Sequence, residues 1–153
     1  MSIRAKDLRE CVIRPVLQAL ELHSAEAEDL LMMTAAQESK LGFHLVQING
    51  PALGIYQIEP ATHRDILRYL SRRTDLAHKV GSFAVKGSDD ELTWNLAYAT
   101  AIARIKYYMV PTPIPSTVEG QAAYYKKYYN TPLGKATALE AMENYLKYVR
   151  SGE

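Results

Sequence analysis

Residues 24–60 read SAEAEDLLMMTAAQESKLGFHLVQINGPALGIYQIEP. Ser24 is placed to cap a helix, and Glu26, Glu28 and Asp29 fall in its first turn, where the helix dipole favours acids. Leu30, Leu31, Met33, Thr34 and Ala35 carry the helix forward, and Gly42 marks its stop. The chain then changes character. Residues 43–58 hold β-branched and aromatic side chains around Asn49-Gly50-Pro51 and Gly54, which predicts a small irregular β-hairpin or extended loop. Pro60 suits the first position of the next helix, with Ile66, Leu67 and Leu70 on one face.

Helical signals continue on both sides. Leu8, Val12, Val16, Leu17 and Leu20 keep helical spacing over residues 7–21, and Pro15 predicts a kink or two short helices there. Residues 74–88 carry only a weak pattern. A long helix is expected from Asp89 to about Met109, and its run of small residues from Ala97 to Ala103 suits close approach by neighbours. Pro111-Thr112-Pro113-Ile114-Pro115 is a stiff extended link. Ser116 with Glu119, and Thr137 with Glu140, form capping-box patterns for two more helices. The first should reach about Tyr129. The second should reach about Arg150, with Leu139, Met142, Tyr145, Leu146 and Val149 inward. The expectation is a mainly α (α+β) chain of five to seven helices with one small β-hairpin.

The chain has 153 residues, 48% hydrophobic and 23% charged, with 18 basic and 17 acidic side chains. Those fractions belong to a folded globular protein and exclude disorder; the length fits one domain over 1–153. A net charge of +1 supplies no general attraction to nucleic acid or to an anionic membrane. The single cysteine, Cys11, excludes an intramolecular disulfide and a cysteine zinc site, and reads as a small buried hydrophobe. No apolar run reaches the roughly 18 residues that a membrane span needs. The opening MSIRAKDLRE has no signal-peptide core. Eleven tyrosines stand against two phenylalanines and one tryptophan. A ring with a hydroxyl suits a sugar ligand and equally suits the half-wet margins of helices.

His23, His44, His63 and His78 are scattered and give no helical metal-ligand pair, and no phosphate loop or nucleophile elbow is present. No metal and no cofactor are expected. Glu38, in Ala36-Gln37-Glu38-Ser39-Lys40-Leu41-Gly42, is different. It falls at the C-terminal end of an apolar helix, where the dipole and the apolar surroundings both disfavour a carboxylate. Its pKa should rise, as a general acid requires. A solvated glutamate paired with Lys40 or an arginine is the plainer alternative.

The Glu38-Ser39 pair at a helix end, followed by Gly54-Ile55-Tyr56-Gln57-Ile58-Glu59-Pro60-Ala61-Thr62, resembles the SLT-type lytic transglycosylases. These belong to the goose-lysozyme-like branch of the lysozyme superfamily. Asn95-Leu96, with Ala99 where the family usually has glycine, and Tyr129-Asn130 resemble two further family motifs. The resemblance covers about residues 30–134. The runs IRPVLQAL, TAAQES and GPALGIYQIEPATH also resemble small proteins of tailed bacteriophages.

The resemblance implies a lysozyme-like fold and cleavage of the glycan strands of bacterial peptidoglycan, without cofactor, metal or nucleic acid, by a monomer that does not insert into a membrane. It implies Glu38 as the one acid/base. Ser39, Gly54, Tyr56 and Gln57 would meet substrate. Tyr129, or its neighbour Tyr128, would hold the Glu38 carboxylate, and Asn130 would cap a helix end. Glu59 is the candidate second carboxylate, which would make the enzyme a hydrolysing muramidase; a helix-start charge is its other reading. Lys126 and Lys127 read as a solvated face or as an attraction for anionic wall polymers. A phage setting implies an endolysin held in the host cytoplasm until a membrane lesion opens, or a virion-associated enzyme. A non-catalytic lysozyme-like virion or interaction protein is the remaining alternative.

Overall fold

Two helices buried around most of their circumference organise the chain. The computed structural model describes residues 2–130 and 134–153. The helix α3 (Ala25–Ser39) is covered on every side from Leu30 to Ala36. In α7 (Leu96–Tyr108) the same holds from Tyr98 to Ala103. A helix apolar all round must be wrapped by others. Ala99, Ala101 and Ala103 let the neighbours of α7 come close. Each buried hydroxyl on these helices has a partner, as burial demands. Thr34 Oγ1 donates to Leu30 O and meets Tyr107 Oη at 2.8 Å.

Shorter helices wrap this pair: α1 (Ala5–Asp7), α2 (Arg14–Ala19), α4 (Pro60–Leu70), α5 (Thr74–Gly81), α6 (Glu91–Trp94), α8 (Val118–Tyr125) and α9 (Ala138–Tyr148). Their buried apolar side chains join one continuous core. Ser24 and Thr137 cap α3 and α9 by accepting from Ala27 N and Glu140 N, and Pro60 opens α4, as their positions predict. Residues 74–88, weakly patterned, supply α5. Among the described residues no helix is long and apolar enough to cross a membrane.

Several expectations are corrected. No β-sheet and no hairpin form among the described residues. Residues 43–58 make only the isolated bridges Val46↔Leu53 and Leu53↔Ile58. Pro51 cannot donate to a ladder, and Asn49, Gly54 and Gln57 all take positive φ, so the segment coils rather than extends. The expected long helix of 89–109 breaks at Asn95. That residue ends α6 in an extended conformation and caps α7 by accepting from Tyr98 N. The α8 cap is Thr117, not Ser116. After Tyr125 the winding widens to a π-helical turn over Lys126–Asn130. Near Pro15 the disruption is likewise a π-helical stretch, Leu8–Ile13. Its wider winding turns Cys11 outward, so this cysteine is exposed rather than buried. Leu67, Leu139 and Leu146 also face solvent.

Charged groups tie the ends of the wrap. The buried Glu28 carboxylate accepts from Arg14 at 2.7 and 3.1 Å and from Arg9 at 3.2 Å, with His23 Nε2 at 2.8 Å. Arg9 also reaches Asp29 and the C-terminal Glu153. Burial by itself would raise the Glu28 carboxyl. The hydrogen bonds from Arg14, His23 and Arg9 outweigh burial and hold it at about 2. Asp89 and Glu91, at the start of the expected 89–109 helix, have definite partners. Asp89 meets buried His63 at 2.7 Å, and His63 meets Tyr98 Oη at 2.6 Å, which pins α4 to α7. Glu91 is fully buried and accepts from the backbone N–H groups of Val85, Lys86 and Gly87 and from Asn95 Nδ2.

Candidate active site

Glu38 occupies the last turn of α3, where the sequence puts it. The helix then leaves through three consecutive left-handed residues, Lys40, Leu41 and Gly42 (φ 51°, 57° and 84°). Only the last is glycine, so the exit is strained and must be held by its surroundings. Ser39 provides that hold. It is fully buried, donates to Ile55 O at 2.7 Å and accepts from Gly42 N at 2.9 Å. Ser39 therefore fastens the coiled 43–58 segment to the end of α3, and its side chain has no surface for a substrate.

The groove that opens beside Glu38 has a volume of about 540 Å³. Gln57, Glu59, Lys106, Tyr129 and Lys135 line it with Glu38. Gln57 stands at positive φ, and its Nε2 donates to Gly54 O at 2.8 Å. It thus both ties the coil down and presents an edge to the groove. Glu59 is exposed on the rim, at the residue before Pro60, and accepts no capping bond within α4.

Tyr56 and Gly54 have other duties than touching substrate. Tyr56 is fully buried, and because Thr100 Oγ1 donates to Leu96 O, the Tyr56 hydroxyl donates to Thr100 at 2.8 Å. Gly54 takes φ 81°, and a Cβ built there would stand 2.0 Å from Leu92 O. This glycine is needed by the coil's contact with α6. Gly54→Ala should destabilise the fold by at least ~2 kcal/mol through the backbone clash and the positive φ together. Urea denaturation measures it, and a loss below about 0.5 kcal/mol would show that α6 moves aside freely.

The carboxylate of Glu38 is held by Tyr125, not by Tyr129 or Tyr128. Tyr125 Oη donates to Glu38 Oε1 at 2.6 Å. Tyr129, four residues on and on the same face, is bonded elsewhere. Its hydroxyl donates to Tyr56 O at 2.6 Å, and its ring stacks on Tyr107 and Tyr125. Tyr128 points away and reaches Thr112 at 3.3 Å. Asn130 does line the groove, and its Oδ1 accepts from Lys126. Lys126 also donates to Gly134 O, whereas Lys127 faces solvent.

Lys106 has no counterpart in the sequence reading. It stands in a helix of small and apolar residues, where one lysine reads as a solvated edge. In the fold its Nζ donates to Tyr129 O at 3.1 Å and lies 3.8 Å from the centre of the Tyr129 ring. Burial lowers the Lys106 pKa, opposed by the charges of Glu38 and Glu59. Burial raises Glu38; the Tyr125 hydrogen bond and the Lys106 charge oppose that rise without cancelling it. The site therefore combines a carboxyl biased toward its protonated form, a fixed donor behind it and a cation in the same groove lining. Among the described residues no three His, Cys, Asp or Glu side chains gather as a metal-ligand set.

The chain matches no family model, no curated sequence and no solved structure among the known proteins with which it was compared.

Proposed function

We propose that this chain is a lysozyme-like lytic transglycosylase, which cleaves the β-1,4 bond between N-acetylmuramic acid and N-acetylglucosamine in bacterial peptidoglycan. The observation that carries the reading is Glu38. It is a half-buried carboxyl with raised pKa at the wall of an open groove, and among the described residues only its Oε1 is hydrogen-bonded. That is the equipment of a general acid near neutral pH. The Glu-Ser and Gly-x-x-Gln-Ile-x-Pro-x-Thr motifs add the family resemblance.

Because Tyr125 donates to Oε1, the acidic proton resides on Oε2. Glu38 passes that proton to the glycosidic oxygen as the bond breaks. The N-acetyl group of the substrate supports the sugar cation. Glu38, now a carboxylate, removes the proton from the muramic C6 hydroxyl, which closes a 1,6-anhydro ring. One carboxylate serves both steps, and the proton returns to where it began.

Glu59 on the rim of the same groove favours a second reading, in which it activates water and the product has a reducing end. Digestion of purified peptidoglycan with weighing of the fragments separates the two. Anhydro ends are expected. Reducing ends throughout would establish hydrolysis, and no fragments at all would leave a non-catalytic role. If the phage resemblance extends to biology, mass spectrometry of particles distinguishes a virion enzyme from an endolysin.

Tyr125→Phe tests the donor behind Glu38. Its hydrogen bond lowers the Glu38 pKa, so its loss should raise that pKa further. The alkaline limb of the pH–rate profile should move to higher pH, and kcat should fall about tenfold. An unchanged profile would remove Tyr125 from the mechanism.

A further inference from the structure

Lys106 is a half-buried ammonium without a carboxylate of its own. Among the described residues no acid forms an ion pair with it; its partners are Tyr129 O and the Tyr129 ring. An ammonium has three donors, and the Tyr129 carbonyl takes one of them. Lys106 lines the groove, so the remainder of its hydrogen-bonding capacity is directed at whatever enters. A cation taken out of water without a counterion is costly unless a ligand supplies one. Nor does Glu38 supply it during turnover, because the acid must be protonated to act. Lys135 adds a second positive charge to the groove lining, against the single exposed acid Glu59.

We propose that Lys106 is a specificity-determining residue, whose ammonium pairs with a carboxylate carried on the substituent of the sugar ring and makes the groove prefer anionic over neutral strands of β-1,4-linked N-acetylhexosamine. This rests on the reading of the groove as a glycan site. The carboxylate has two sources: the lactyl ether of a peptide-free muramic acid, or the stem peptide attached to it. Chitin has the same backbone linkage and the same N-acetyl groups with no carboxylate, so it isolates the effect of charge.

The test is calorimetric binding to the full chain carrying Glu38→Gln, which removes turnover. The ligands are chitotetraose, a peptide-free muramyl tetrasaccharide and the same tetrasaccharide with stem peptides. The muramyl ligands should bind about tenfold tighter than chitotetraose, the scale of one charge-assisted hydrogen bond, and less so at high salt. Adding Lys106→Gln should bring the ratio to within about twofold, while Lys106→Arg should retain most of it. A preference shown only by the peptide-bearing ligand assigns the carboxylate to the stem peptide; one shown only by the peptide-free ligand assigns it to the lactyl group, whose carboxyl becomes an amide when a peptide is attached; a preference shown by both shows that Lys106 pairs with either carboxylate. Equal binding of all three, or a preference that survives Lys106→Gln in a protein that melts normally, overturns the proposal. If wild type releases glycan fragments but selectivity ignores Lys106, only this inference falls. If nothing binds and nothing is cleaved, the glycan reading falls with it.

Discussion

On the proposed reading, Glu38→Gln will reduce glycan cleavage by about three orders of magnitude, and it will leave the melting temperature unchanged or higher. Both halves follow from one environment. Among the described residues, Glu38 is the only carboxyl that the groove holds in a desolvated position with a fixed donor behind it. Glutamine keeps the shape and can still accept from Tyr125, but it has no proton to transfer. The stability half follows from the sign of the pKa shift. The folded state binds the Glu38 proton more tightly than the unfolded chain does, so ionising Glu38 weakens the fold as pH rises through the carboxylate range. Glutamine carries no such penalty at neutral pH. Turbidity loss of purified peptidoglycan, fragment masses and a thermal melt on the same preparation check both halves. Wild-type activity that survives in Glu38→Gln would assign the chemistry elsewhere.

Glu28→Gln should do the reverse: it should damage the fold and leave the chemistry of the groove alone. Arg9 and Arg14 would lose the buried charge that both now share, and removing one partner of such a pair costs ~3–5 kcal/mol. For a domain of this size that is a fall in melting temperature on the order of 10 °C. The sign is again fixed by linkage. With its folded pKa held at about 2, Glu28 stabilises the fold above its unfolded value, and that contribution drains away as pH falls from 4.5 toward about 2. Acid denaturation of the wild type should therefore steepen in this window, and Glu28→Gln should flatten it. Equal acid sensitivity of the two proteins would show that Arg9 finds enough in Asp29 and Glu153.

Much of the fold was legible because its signals are local. A serine or threonine before a helical run, or a proline at its first position, states its case within one turn, and Ser24, Thr137 and Pro60 stand where they should. The same holds for Glu38, whose place at the end of a buried helix follows from the apolar run before it. The errors lie where a local signal has competitors. Ser116 and Thr117 are both good caps one position apart, and the fold uses the second, whose side chain accepts from Gly120 N. Asn49-Gly50 favours a hairpin, but Ser39 draws the segment inward through Ile55 O, and the coil that results has no room for a ladder. Asn95 looked like one more helix residue because nothing nearby shows that Phe83 O and Glu91 would claim its amide.

The sequence by itself determined a mainly helical chain and a glutamate in the last turn of its central helix, because helix periodicity and capping depend on residues within a turn of one another. The tertiary structure alone decided which side chains meet that glutamate. Tyr125 and Tyr129 share a helix face, so spacing cannot rank them. Ser39, Gly54 and Tyr56 belong to the motif that resembles a substrate site, yet all three are turned inward to build its wall. Lys106 reaches the groove from a helix more than sixty positions away in the chain, across Tyr129. Periodicity assigns a residue to a face; which other face covers it is a long-range packing outcome, and the chemistry of this groove is made of such pairings.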